Sequence, residues 1–283
     1  MVLINTAIFL LGLIVGSFLN CVIYRLEKEE SFLKGRSFCP QCRHQLTWRD
    51  LIPTFSFFIL KGKCRYCHQK ISWQYPLVEI ATGLLFVSIF NYLSVARVGF
   101  VEASPHLTPF ASVLANEGFA FSDLQNFLFY SIISCFLIVI FVYDLKHYII
   151  PDRVIYPAIG ITFFYNIYQL TVNNQRLAIN NFSSAILAAT FFLAIVLVSR
   201  GKWMGIGDIK LAFLMGLILG FPNILVALFL AFFLGAIIGL GLIISGRKTF
   251  KSEIPFGPFL ITGTFIGLFC GGQIINWYLR LFV

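Results

Sequence analysis

The chain has 283 residues, of which 59% are hydrophobic and only 12% are charged. Soluble domains carry about 25% charged residues, so this composition excludes a soluble core and indicates a membrane protein with several spans. The formal net charge of +9 would also suit a nucleic-acid-binding protein. However, the basic residues follow the loops between apolar runs, as membrane orientation requires, and we expect no nucleic-acid partner.

The first apolar run, Val2–Tyr24, carries no charge and is long enough to cross a bilayer, which needs about 20 residues. Gly12, Gly16 and Ser17 provide a small-residue face suited to close packing against another helix. No basic region precedes the run, so we interpret it as a retained transmembrane helix and not as a cleaved signal peptide.

The segment 25–76 is the only sizeable polar part of the chain, and it contains two Cys-x-x-Cys pairs. Cys39 and Cys42 form the first pair, and Cys64 and Cys67 form the second. Two such turns can supply four thiolates to a tetrahedral structural zinc ion. Two alternatives are two disulfides, which require an oxidising compartment, and four free thiols. We predict a small zinc-ribbon-like segment that binds zinc.

Seven further apolar stretches predict an all-α polytopic membrane protein with about eight transmembrane helices. Ile209–Gly246 is too long for one span, and Gly220-Phe-Pro-Asn223 in its middle favours a turn, so we divide it there. The first half is then about 12 residues, or roughly 18 Å, long, unless it starts before Asp208 or extends past Pro222, which the sequence leaves open. Asp152 is expected to cap the fourth helix. The other spans are Leu77–Ala96, Leu124–Tyr143, Val154–Gln175, Leu177–Ser199 and Ile254–Leu279.

Basic residues predict the orientation of these helices. Of the 21 Lys and Arg residues, all but Arg97, Arg176 and Arg280 lie in one set of loops. Cytosolic loops are enriched in Lys and Arg, so that set is predicted to face the cytosol and both termini to lie outside. The cysteine pairs fall on the cytosolic side.

Two aspartates, Asp144 and Asp208, are the residues most expected to carry chemistry. Asp144 ends the third predicted helix and Asp208 opens the sixth, so the predicted topology places both at the cytosolic boundary. A carboxylate at the mouth of a membrane helix is a functional-site hypothesis by default, because desolvation is costly. Two carboxylates in a partly desolvated site share a proton. One can then activate a water as general base while the other polarises a peptide carbonyl.

The residues around Asp208 suggest how a substrate could reach it. Gly205 and Gly207 lack side-chain bulk, so another backbone, such as that of a peptide substrate, can come close to the carboxylate. One alternative is that the Gly-x-Gly-Asp sequence is only a loop and a helix cap. Another is that the two aspartates are interfacial helix ends that pair with Lys146 and Lys210.

Eight motifs occur along the chain in one order: Gly16-Ser-Phe-Leu-Asn20, the two cysteine pairs, Leu51-Ile-Pro53, Lys61-Gly-Lys-Cys64, Tyr75-Pro-Leu-Val-Glu79, Asp144-Leu-Lys-His-Tyr-Ile-Ile-Pro-Asp152, Gly205-Ile-Gly-Asp-Ile-Lys210 and Ile254-Pro-Phe-Gly-Pro-Phe259. Together they resemble the type IV prepilin leader peptidase family, the bacterial GxGD aspartic peptidases, over nearly the whole chain. The resemblance implies that Asp144 and Asp208 are the catalytic pair and that the four paired cysteines are metal ligands.

The resemblance implies an aspartic endopeptidase of the bacterial cytoplasmic membrane. Its expected substrates are type IV prepilin or pseudopilin precursors, whose basic leader peptide it removes at the cytosolic face. It also implies N-methylation of the new N-terminus with S-adenosylmethionine, an activity tied to the cytosolic N-terminal segment. Gln74 stands where many members have arginine.

Glu79 is a candidate for the methyl-transfer half, since it is the only acid in the second predicted helix and can hold the pilin amine. The alternative is an ion pair with a basic residue of the polar segment. We therefore divide the chain into a first helix at 1–24, a metal-binding part at 25–76 and a peptidase region at 77–283.

Two other classes of protein are alternatives to a membrane aspartic peptidase. An ion-coupled transporter could use paired aspartates as proton carriers, but transporters of this kind usually show repeated halves with broken helices at mid-membrane. The chain shows no internal repeat of that kind. A zinc-ribbon membrane adaptor without catalysis would leave the aspartate pair unexplained.

Overall fold

The structure is a computed structural model that describes residues 2–30, 37–102, 121–172, 175–201, 204–246 and 254–281. The described residues are almost entirely helical and contain no strand beyond two isolated bridges. They confirm the prediction of an all-helical polytopic membrane protein. The chain divides into two compact units, Met1–Ile138 and Val139–Val283.

Nine α-helices and one 3-10 helix make up the described part of the chain. Helix α4 begins in the first unit and ends in the second. The elements in chain order are α1 (Val2–Glu27), a 3-10 helix (Trp48–Asp50), α2 (Phe55–Ile59), α3 (Gln74–Glu102), α4 (Phe121–His147), α5 (Asp152–Thr171), α6 (Gln175–Ser199), α7 (Ile206–Leu219), α8 (Asn223–Ile244) and α9 (Gly257–Leu279).

Six of the described helices, namely α1, α3, α4, α6, α8 and α9, are long and apolar enough to cross a membrane. The two other predicted crossings form α5 and α7. Helix α5 buries polar side chains, including Asn166 and Gln169. Helix α7 has 14 residues, or roughly 21 Å, which is less than the hydrocarbon core of about 30 Å.

Some predicted boundaries change in the structure. Pro151 caps α5 and Asp152 is the first helical residue, so the prediction that Asp152 is the cap is wrong by one position. Proline fixes φ near the value of the extended cap, and its lack of an N–H costs nothing there. Residues 173 and 174 of the fourth predicted span, and 31–36 of the polar segment, lie outside the described residues.

Helices α1 and α3 pack closely in the first unit, as the small residues of α1 predict. A Cβ added at Gly12 would lie 2.6 Å from the Cα atom of Gly83, and one at Gly16 would lie 2.7 Å from the Cα atom of Glu79. Such distances leave no room for a side chain. The two backbones therefore meet along this face, and Glu79 is held against the middle of α1.

Helix α7 lies at the centre of the second unit. Its backbone at Gly216 touches that of α6 at Ala185, and its residues from Leu214 to Gly220 are buried. The amide of Asn166 donates to the carbonyl of Leu217 at 3.1 Å, and Asn181 donates to Asn166 at 2.8 Å. These amides satisfy a backbone group in the last turn of a helix, where apolar surroundings offer no water.

Candidate active site and metal centre

Asp144 lies in the last turn of α4, and its side chain is only 4% exposed. The helix ends just beyond it. Its Oδ2 atom accepts a hydrogen bond of 3.0 Å from the backbone N–H of Gly257, the first residue of α9. The N-terminus of a helix carries a partial positive charge, so this contact favours the ionised carboxylate.

Asp208 lies in the first turn of α7 and is 9% exposed. Its Oδ2 atom accepts the backbone N–H of Gly205, which caps α7, at 3.2 Å. The carboxylates of Asp208 and Asp144 are close enough to interact electrostatically. The second unit therefore brings together the two aspartates, which are far apart in the sequence.

The two glycines before Asp208 have different surroundings. A Cβ at Gly207 would lie 3.1 Å from the Cβ atom of Ile150, so Gly207 lets the start of α7 pack against the segment that follows α4. A Cβ at Gly205 would meet nothing closer than a backbone nitrogen at 3.9 Å. Among the described residues, nothing fills the space beside Gly205.

Lys210 pairs with Asp152, the first residue of α5. Its Nζ atom lies 2.6 Å from Asp152 Oδ1 and 4.7 Å from the ring centroid of Tyr156. This salt bridge joins the first turn of α5 to the second turn of α7. The ammonium of Lys210 therefore pairs with Asp152 and not with Asp208. This differs from the alternative in which Asp208 is only a helix end that pairs with Lys210.

An apolar cavity of about 460 Å³ lies beside Asp144 in the second unit. Phe141 and Leu145 of α4 form one wall together with Tyr148, just beyond the end of that helix, and Pro258, next to Gly257, belongs to another. A membrane-embedded apolar segment fits such a lining. The remaining lining residues are Leu234, Ile238, Leu242, Ile254, Pro255, Phe259 and Thr262.

The four paired cysteines of the first unit meet in one cluster that can hold a metal ion. Their Sγ atoms all lie within 4.8 Å of one another, and those of Cys39 and Cys67 are 3.9 Å apart. Zinc–sulfur bonds of about 2.3 Å in a tetrahedron place the sulfurs about 3.8 Å apart. All four cysteines are free, so the cluster fits a metal centre and not two disulfides.

The two cysteine turns have the same backbone arrangement. Arg43 N–H donates to the Cys39 carbonyl at 2.9 Å, and His68 N–H donates to the Cys64 carbonyl at 3.0 Å. Arg43 and His68 share a φ of 56°. Burial raises the pKa of the Cys39 thiol, but hydrogen bonds to the backbone of Cys42 and Gln41 lower it to about 7. A lowered pKa favours the thiolate that binds metal.

Glu79 is buried in the first unit and is held by hydroxyl and backbone groups. Its Oε2 atom accepts the N–H of Thr54 at 2.6 Å and the hydroxyl of Thr54 at 3.0 Å. Ser17 of α1 adds a side-chain hydrogen bond. These partners differ from the ion pair that the sequence left open as an alternative.

Gly257 contacts a candidate catalytic residue, although the sequence suggested no role for it. Its position between Pro255 and Pro258 at the start of the last span was the available signal. A Cβ at this position would lie 2.5 Å from Asp144 Oδ2. Only glycine therefore lets the N-terminus of α9 come this close to the carboxylate.

Comparisons with known proteins agree with this organisation. A family model described as the bacterial peptidase A24 N-terminal domain matches residues 10–93, which include the cysteine cluster and Glu79. A model described as the type IV leader peptidase family matches residues 131–240, which include Asp144 and Asp208. No solved structure matches the chain.

Full-length relatives are also similar. A prepilin leader peptidase/N-methyltransferase of Aeromonas salmonicida (strain A449) is 30% identical, over 96% of this chain and 92% of the relative. Proteins of the same name from Bacillus subtilis (strain 168) and Aeromonas hydrophila are each 28% identical. These alignments cover 97% and 98% of this chain and 97% and 94% of the relatives, respectively.

Proposed function

The chain belongs to the type IV leader peptidase family, and from that premise we propose that it removes the leader peptide of prepilin or pseudopilin precursors and methylates the new N-terminus. The observation that carries the peptidase half is the pair of buried aspartates at the ends of α4 and α7. The family assignment favours hydrolysis over ion-coupled transport, which paired aspartates alone left open.

Asp144 and Asp208 are proposed to share one proton and to divide the chemistry of hydrolysis. Two carboxylates at close range cannot both ionise easily, so one stays protonated. The ionised carboxylate takes a proton from the attacking water, while the protonated one donates a hydrogen bond to the scissile carbonyl. The open space at Gly205 gives the substrate backbone a route to the carboxylates.

The apolar cavity beside Asp144 is proposed to receive the start of the precursor's apolar helix. The family's substrates carry a basic leader followed by an apolar helix, so the scissile bond lies where the two meet. The enrichment of Lys and Arg in the loops near Asp144 and Asp208 supports the proposal that this boundary lies at the cytosolic face of a bacterial cytoplasmic membrane. A helix end in the cavity would bring the scissile peptide next to Asp144.

The direct test is to incubate the purified protein, reconstituted in lipid nanodiscs, with a full-length pilin precursor. The expected product is a pilin that lacks its leader, identified by mass spectrometry. With S-adenosylmethionine present, the product should gain the mass of one methyl group. An uncut precursor, under conditions in which the Bacillus subtilis relative cuts it, would contradict the peptidase assignment.

The cysteine cluster is proposed to bind structural zinc. Changing Cys39 and Cys42 to serine should release the metal, since hydroxyls bind zinc far more weakly than thiolates, and small metal domains depend on the ion to fold. Proteolysis within 37–73 should then become faster. Changing Cys135 and Cys270, which lie outside the cluster, to serine is the matched control and should leave the zinc content unchanged. Purified wild-type protein without zinc would refute the proposal.

Glu79 is proposed to hold the amine of the cleaved pilin for methyl transfer. Glu79→Gln should therefore reduce methylation more than cleavage, because the amide keeps the side-chain shape but loses the charge. Both activities are measured on the same preparation, with S-adenosylmethionine and a precleaved pilin for the first. Thr54→Ser retains both donors to Glu79 and is the control. If cleavage falls as far as methylation, Glu79 has a structural role.

A further inference from the structure

Large apolar side chains are exposed along Leu51–Ile59, a segment of the first unit that we call the apolar loop. It comprises α2 and the residues before it. Phe55, Phe58 and Ile59 are 63%, 57% and 72% exposed. Phe57 instead points inward, where its ring packs on Trp73 at 5.0 Å. The loop thus has one anchored face and one apolar face that none of the described residues covers.

Hydrogen bonds tie the apolar loop to the second turn of α3 and to the middle of α1. Thr54 donates twice to Glu79, which lies five positions after the first residue of α3, and Ser17 of α1 contacts the same carboxylate. Ser17 lies ten positions before Glu27, the last residue of α1, or about 15 Å along the helix. The loop therefore lies beside the membrane helices and not above their polar ends.

The first cysteine turn lies at a different level. The ring of Phe38, which precedes Cys39, packs on Tyr24 of α1 with centroids 5.9 Å apart. Tyr24 is seven positions after Ser17 along α1, or about 10 Å. This cysteine turn is thus about 10 Å closer to the polar end of α1 than Thr54 is.

Basic side chains flank the apolar loop. Arg49 precedes it, Lys61 and Lys63 follow it, and all three are exposed. Asp50 is the only acid between residues 37 and 73, and it pairs with Arg65 at 2.7 Å. Burial would raise the pKa of Asp50, but hydrogen bonds from Thr47 and Arg65 lower it overall. Exposed cations beside an apolar face suit an anionic phospholipid surface.

We propose that the apolar loop is an interfacial anchor that inserts Phe55, Phe58 and Ile59 into the phospholipid leaflet around α1 and α3. The occupant of this face is lipid because the loop is hydrogen-bonded to Glu79, within the membrane helices α1 and α3, and the exposed cations beside it suit anionic headgroups. The anchor holds Thr54, and through it Glu79, at the membrane boundary. The inference does not depend on the catalytic assignment.

The test is quenching of a single tryptophan by brominated phosphatidylcholine in nanodiscs. The native Trp48, Trp73, Trp203 and Trp277 are changed to phenylalanine, and Phe58→Trp is introduced. Emission from this tryptophan should be blue-shifted and should lose most of its intensity when the acyl chains are brominated. Gln41→Trp, in the first cysteine turn, is the matched control and should lose little.

Each other result would overturn the proposal. Blue-shifted emission that bromine does not quench would show that protein covers the loop, and red-shifted emission would show that it faces water. Equal quenching of the two tryptophans would remove the predicted difference in depth. A melting temperature and an elution volume equal to those of the wild-type protein show that each variant is folded. Phe55→Trp provides a second position should Phe58→Trp fail that check.

Discussion

Asparagine in place of either Asp144 or Asp208 is expected to abolish precursor cleavage. The amide has nearly the same shape but can neither take a proton from water nor share one with the other carboxylate. Positioned acid–base groups contribute at least about 100-fold to a rate, so each variant should lose at least that much in kcat. Each rate is measured on precursor in nanodiscs, at saturating substrate and equal protein concentration.

The matched control is Asp123→Asn, near the opposite end of the same helix α4. It removes an equal charge far from the proposed site and should cleave at the wild-type rate. Methylation of a precleaved pilin should also persist in the Asp144 and Asp208 variants, which would show that they are inserted and folded. Near-wild-type cleavage by either variant would contradict the assignment of Asp144 and Asp208 as the catalytic pair.

The sequence predicted those features that depend on local patterns. Apolar runs determine where membrane helices form, because a span must satisfy its own backbone hydrogen bonds. The cysteine cluster was also predictable, since two Cys-x-x-Cys turns of the same geometry can place four thiolates together. The predicted topology places Asp144 and Asp208 at helix ends on one side of the membrane, and the structure has the two carboxylates within range of electrostatic interaction.

Features that depend on contacts between distant residues were not predictable. The sequence could not give the end of α7, because the hydrogen bond that satisfies its last turn comes from Asn166 on another helix. The partners of Glu79 come from Thr54 and Ser17, and no spacing rule joins these positions. Gly257 contacts Asp144 across 113 positions of sequence. The two prolines around Gly257 mark the start of a helix, but they do not show which distant residue that start contacts.

Gly257→Ala is expected to reduce cleavage severely while leaving the fold intact. The added Cβ would lie 2.5 Å from Asp144 Oδ2, so the flexible carboxylate must move aside and lose its hydrogen bond from the backbone of α9. A misplacement of about 1 Å at a catalytic group can cost about 100-fold in rate. Alanine also suits a helix better than glycine by about 1 kcal/mol, so thermal stability should fall little.

Gly272→Ala is the matched control, because it makes the same change in the same helix at a position where a Cβ would meet nothing within 4 Å. It should cleave precursor at the wild-type rate. Steady-state kinetics on both variants separate the effects, since a displaced catalytic group should lower kcat with little change in KM. If Gly257→Ala retains wild-type kcat, the contact between α9 and Asp144 does not position the carboxylate. If instead both variants lose activity equally, the loss comes from changing α9 and not from Asp144.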